Sequence, residues 1–134
     1  MNSKKMLFAW IGGFVIMFLL SYIWYNLIIA DYNAVQYAGV LKETVGMGNI
    51  TVGYLVVAFL LAYIYPKGYS GGSPGSEGLR FGLVMGLLYT LPAAFINAGA
   101  FGFPFTAQIV GAAYHTVEVI AGSLVIAKIY GEIK

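Results

Sequence analysis

The chain has 134 residues, 60% of them hydrophobic and only 9% charged, with a net charge of +2 and no cysteine. A soluble domain carries ~25% charged residues, so this composition belongs in lipid, and the length suits one domain, which typically holds ~100–150 residues. The missing cysteines exclude a disulfide framework, a thiolate metal site and a cysteine nucleophile, and the small net charge gives no reason to expect nucleic acid.

A helix needs ~20 mostly apolar residues to cross the hydrocarbon core. Stretches at about 6–30, 48–65, 79–100 and 105–129 meet that need. The expected fold is therefore all-α: a four-transmembrane-helix bundle forming a single integral membrane domain over residues 1–134. The first stretch follows Lys4 and Lys5, as a signal peptide would, but its apolar run is far longer than the usual ~7–15 residues. It is read as a span. Basic residues of short loops face the cytoplasm. Lys4, Lys5, Lys67, Arg80, Lys128 and Lys134 fall on one side of a four-span chain and only Lys42 on the other. That predicts both termini inside. Trp24, Tyr25 and Tyr32 at one level, and Tyr63, Tyr65 and Tyr69 at the other, fit aromatic belts.

Between spans one and two, Asp31 or Asn33 can start a helix and Gly46 can end it. Ala34, Ala38, Leu41 and Val45 recur at helical spacing, which predicts a short amphipathic helix at the interface. Residues 66–78 hold many glycines with Ser73 and Pro74 and read as a flexible or turn-like cytoplasmic connection. Residues 99–104 are uncharged and tight, so spans three and four should form a hairpin.

Gly78, Gly82 and Gly86 repeat every four residues along span three. Small residues at that spacing let helix backbones approach closely in lipid. They can pack within the chain, or form a face for a homo-oligomer or a larger membrane complex. Pro92 removes a backbone hydrogen bond and should free the carbonyl of Leu88, with Thr90 near enough to satisfy freed groups. The result is a packing kink or a cavity wall.

Span four carries Gln108, Gly111, His115, Glu118 and Gly122 at spacings of three and four, which place them on one stripe. Ile109, Val117, Ile120 and Leu124 lie elsewhere and suit lipid, so the polar stripe should look into the bundle. A charge at mid-membrane costs at least ~2.5–3.5 kcal/mol. Glu118 escapes that cost by carrying a proton or by pairing with His115, one turn away. Counting depth from the basic anchors brings Tyr54 near His115 and Thr90 near Glu118, with Ser21 and Asn97 further out and Asn26 and Gln108 close to the surface. The candidate ligand or proton site is thus His115, Glu118, Tyr54, Thr90 and Asn97. A proton relay, a small-ligand cavity and an internal packing staple all account for it.

One His and one Glu are too few ligands for a metal centre. No cofactor is required by the sequence; His115 could serve as a single axial ligand to a haem or chlorophyll-type macrocycle. Phosphate-cradling loops, serine–histidine–acid sets and paired-histidine motifs do not occur, so nothing asks for an enzyme. Two function classes remain: a module that binds or passes a small solute, ion or proton, and a structural or accessory subunit of a larger membrane complex, such as an energy-transducing or pigment-binding one.

Three features are similar to a family of small bacterial four-helix membrane proteins defined only as a domain of unknown function. They are the pair Trp24–Tyr25 ending span one, the run Gly78-Leu-Arg-Phe-Gly82-Leu-Val-Met-Gly86, and Tyr114–His115 with Gly122 in the last span. The resemblance implies the same fold and a multi-pass place in the bacterial inner (plasma) membrane. It implies no activity.

Overall fold

The computed structural model describes residues 3–133. All regular structure among them is helical. Helix α1 spans Ser3–Ile23 and continues through a wider-turned stretch at Trp24–Ile28, α2 spans Ala30–Gln36, α3 Met47–Ile64, α4 Pro74–Ala100 and α5 Phe105–Tyr130. Four of these helices are long and apolar enough to cross a membrane: Ser3–Ile28, Met47–Lys67, Pro74–Ala100 and Phe105–Tyr130. They mark a multi-pass membrane protein. One end of the bundle carries both termini and the α3–α4 connection. The opposite end carries the α1–α3 and α4–α5 connections.

Local chemistry sets the boundaries. Pro74 opens α4 and the Ser73 hydroxyl accepts the Ser76 amide, a good start because the first helical amides lack intrahelical partners. Helix α4 runs unbroken through Pro92. Gly131, with φ of 67°, ends α5 in a conformation other residues avoid. Helix α2 is shorter than the periodicity of residues 34–45 suggests. It stops at Gln36, and a turn at residues 37–40 places Gly39 at φ of 80°. The backbone reverses its handedness there, so the apolar spacing of Leu41 and Val45 never meets a helix.

Helix α5 is the hub, packed on α4 along one side and on α1 along another. The α4 glycines provide the first contact. A Cβ on Gly78, Gly82 or Gly86 would lie 2.9, 2.6 or 3.0 Å from the Cα of Leu124, Ile120 or Thr116. The glycine stripe is thus filled by α5 of the same chain. Ile120 and Leu124, assigned from the sequence to lipid, sit at this contact, whereas Val117 faces outward at 61% exposure. An aliphatic face suits a glycine groove as well as it suits lipid, and hydropathy alone does not separate the two. On the α1 side, Gly122 admits the Met17 side chain and Gly13 admits Ile126.

Helix α3 packs on α1, where the Trp10 indole donates to the Leu55 carbonyl at 2.9 Å and Phe18 meets Tyr54 edge-on. It does not pack along α4. Just past its end, Tyr65 contacts Phe81 of α4 and stacks on Tyr130 of α5. The bundle is closed at that end and splayed at the other. The 66–78 connection is tied down rather than free: buried Glu77 accepts from the Ser70 amide at 3.0 Å and from Arg80 at 2.7 Å, and Arg80 also donates to the Gly68 carbonyl.

Candidate functional site

The polar stripe of α5 faces protein. His115 and Glu118, one turn apart, are joined by a 3.0 Å hydrogen bond from Nδ1 to Oε2. Glu118 is 2% exposed, while the His115 side chain is 28% exposed. The second ring nitrogen, Nε2, meets the Tyr25 hydroxyl at 2.7 Å. A carboxylate accepting from Nδ1–H fixes the tautomer. In that tautomer Nε2 accepts from the Tyr25 hydroxyl; in the other tautomer, or in an imidazolium, Nε2–H donates to it. Three side chains from two helices form one hydrogen-bonded unit.

Tyr25 reaches His115 from the wider-turned end of α1. There the Ile29 amide bonds back five residues to the Trp24 carbonyl at 2.9 Å. Such turns recur at functional sites because they re-aim side chains. The same stretch lays Trp24 flat on Tyr114, ring centroids 4.2 Å apart and planes 2° from parallel. Tyr54 of α3 completes the surroundings, lining one cavity with His115 and Glu118.

Two cavities of about 260 and 230 Å³ meet at His115 and Tyr89. The first includes Thr90, Asn97 and Gln108 in its wall; the second includes Tyr54 and Glu118. Tyr54 therefore joins His115 and Glu118 as the depth count expects. Thr90 and Asn97 line the neighbouring cavity with His115 instead. Thr90 belongs to a separate pair: its hydroxyl donates to the Gly86 carbonyl and lies 3.1 Å from that of Thr116. It serves neither Glu118 nor the carbonyl of Leu88. Nearer the splayed end, Gln108 donates to the Tyr37 hydroxyl at 2.8 Å. Burial raises the Tyr37 phenol above its ordinary value, so it stays a neutral hydroxyl at physiological pH.

Tyr25 is the member missed in the sequence, where it passes for an interfacial aromatic. A signal was present. The buried residues of α1 are Ala9, Gly13, Met17 and Ser21, and the next step of four is Tyr25.

No group of three His, Cys, Asp or Glu side chains is placed to hold a metal among the described residues. The axial-ligand option for His115 does not fit either, because both ring nitrogens are engaged, by Glu118 and Tyr25. Comparison with family models, curated proteins and solved structures finds no match for this chain.

Proposed function

We propose that this protein is a small membrane module that binds a proton or a small hydrogen-bonding solute at the Tyr25–His115–Glu118 unit, entered from the end opposite the termini. One observation carries this reading. An unbroken hydrogen-bonded chain leads from half-exposed Tyr25 to a carboxylate that is 2% exposed. An intramembrane ionisable residue facing the bundle interior is a mark of function. Beyond Glu118, toward the termini, Met17 fills the notch at Gly122, and Ile126, Tyr65 and Tyr130 are buried. A path open at one end and packed at the other favours binding over passage. The basic residues gathered at the termini end put the entrance on the exterior by the positive-inside rule. The resemblance to small bacterial membrane proteins would make this the plasma membrane.

The accessory-subunit reading keeps one observation in its favour. The unpacked flank between α3 and α4 leaves Tyr89 58% exposed beside the His115 cavities, and a partner's helix could seat there. Such a partner would use this flank, since α5 occupies the glycines.

The native chain has no cysteine, which allows one clean experiment. Single cysteines are placed at Lys42, Ser73, Gly111 and Ser123, and each variant is labelled with an impermeant thiol reagent in oriented vesicles. Gly111 lines the entrance and has room for a Cβ, whereas Ser123 is fully buried on the closed side. The expected result is labelling of Lys42→Cys and Gly111→Cys from the exterior, of Ser73→Cys from the interior, and of Ser123→Cys from neither. Brisk labelling of Ser123→Cys from the interior, with steady proton flux that Glu118→Gln abolishes, would replace binding with passage.

A further inference from the structure

The first of the two cavities at His115, about 260 Å³, lies where α4 and α5 approach their connection, with Tyr25 and Tyr37 in its wall from the side of α1 and α2. Its volume falls just below the ~300–1,000 Å³ of drug-sized sites, so its occupant is compact. Small residues leave it room: a Cβ on Gly111 would meet nothing within 4 Å. Much of the wall is polar, and part of that polarity is unspent. Among the described residues, the Asn97 amide and the Tyr89 hydroxyl make no hydrogen bond to protein. Gln108 gives one N–H to the Tyr37 hydroxyl and keeps its other N–H and its carbonyl, since a side-chain amide has two donors and an acceptor. The wall therefore offers donors and acceptors together. It offers no free counter-charge. His115 is its only Asp, Glu, Lys, Arg or His, and that ring is already paired with Glu118 at 3.0 Å. Glu118 itself lines the second cavity and not this one.

We propose that this cavity seats a small uncharged molecule bearing both a hydrogen-bond donor and an acceptor, of which a carboxamide is the simplest, held by Asn97 of α4 and Gln108 of α5 with His115 at the inner end. The inference rests on reading the Tyr25–His115–Glu118 unit as a site for a small solute, and it names that solute's class. Burying an unpaired charge is costly. An anion would need a cation that is not already engaged, and a cation would need a carboxylate in the wall; the wall has neither. An uncharged molecule that only accepts, or only donates, would leave part of each amide unpaired, and a desolvated polar group without a partner costs more than a typical hydrogen bond returns.

The test uses the full chain in phosphatidylcholine nanodiscs, followed by amide shifts at residues 89–97 and 108–115. The probes share a pyridine ring. Nicotinamide is uncharged and both donates and accepts; methyl nicotinate is uncharged and only accepts; nicotinate is an anion; 1-methylnicotinamide is a cation that keeps the carboxamide. Saturable binding of nicotinamide about tenfold tighter than that of either ion, equivalent to ~1.4 kcal/mol, is expected, with methyl nicotinate severalfold weaker than nicotinamide. Gly111→Leu places a side chain in the cavity and should abolish binding. Gly99→Leu should not, because its Cβ also meets nothing within 4 Å but lies outside the wall. Asn97→Leu should bring nicotinamide down to the affinity of methyl nicotinate. Equal or tighter binding of any of the other three probes overturns the proposal, and so does nicotinamide binding that is absent from the native chain or survives Gly111→Leu. Loss of the nicotinamide preference, with Gly111→Cys still labelled from the exterior, would remove this site and keep the entrance. Labelling of Ser123→Cys with Glu118-dependent proton flux, and the preference intact, would replace the closed site with a passage and keep the solute class.

Discussion

The two ends of this bundle differ in how they treat polar groups. At the termini, Tyr65, Phe81 and Tyr130 interlock, the Tyr130 hydroxyl donates to the Ala62 carbonyl, and Lys5 reaches the Tyr130 carbonyl at 2.7 Å. There the polar groups close the structure. At the opposite end, α1 and α3 part, α2 covers little, and Tyr25, Tyr37 and Gln108 line cavities. The polar groups there border space. Local stability varies across a fold, and binding regions come from the weaker end. The contrast sets a packed half against a half whose polar groups border open space, where the proposed site lies.

The scaffold breaks most severely at Gly82. Gly82→Val would drive its branched side chain into the Ile120 backbone, where even a Cβ would lie 2.6 Å from Cα. Overpacking costs ~1–3 kcal/mol and more when backbone must move. The expected outcome is a lower Tm in detergent, with loss of the α4–α5 contact. Gly53→Val, on α3 with nothing within 4 Å of its Cβ, should leave Tm nearly unchanged. Similar losses at both glycines would erase the contrast.

A smaller effect is expected at the centre. Glu118→Ala removes the partner of His115 Nδ1, leaving a ring nitrogen unpaired beside a buried position at a cost of ~1–3 kcal/mol. Glu118→Gln keeps an acceptor oxygen in place and should recover most of that stability while altering the site. Thermal melts of the pair decide between roles. Equal loss in both would make the carboxylate a structural staple.

How much of this was legible beforehand follows the same division. The spans, the inward stripe of α5 and the nearness of Tyr54 to His115 and Glu118 follow from hydropathy and period, which act uniformly along a helix. The shared Thr90–Thr116 contact did not follow, because depth gives height in the membrane but not azimuth around the bundle. Helix α2 ends earlier than its periodicity predicts, because periodicity is blind to the left-handed turn that Gly39 adopts. Tyr25 was hidden by its place in an aromatic belt, although the four-residue stripe of α1 points to it.

Tyr25→Phe sharpens the contrast further. It removes the hydroxyl that His115 Nε2 bonds to but keeps the ring, and hydrogen bonds between membrane helices average only ~0.6 kcal/mol. Stability should barely change. The single histidine of the sequence gives the readout: its Nε2 nitrogen resonance should move, and the ring should gain freedom on the NMR timescale. An unchanged resonance would mean that Tyr25 and His115 are not bonded.

The smallest effect is expected at Tyr37→Phe. Tyr37 follows α2, and its hydroxyl accepts from Gln108 across 71 residues of sequence, at 2.8 Å. Its ring also contacts Phe103 in the α4–α5 connection, at 5.7 Å between centroids. These contacts tie the 37–46 segment, which otherwise leaves Val40, Leu41 and Val45 exposed, to the helical hairpin. Phe keeps the ring contact and loses the hydrogen bond, so global Tm should hold within the error of a ~1 kcal/mol measurement. Local opening should still become easier, since a weakly packed segment relies on its few ties. Amide exchange over residues 37–46 should then speed up severalfold while exchange in α4 and α5 stays constant. Uniform acceleration across the bundle would mean that the connection belongs to the scaffold, and that the cavities beneath it open only with the whole fold.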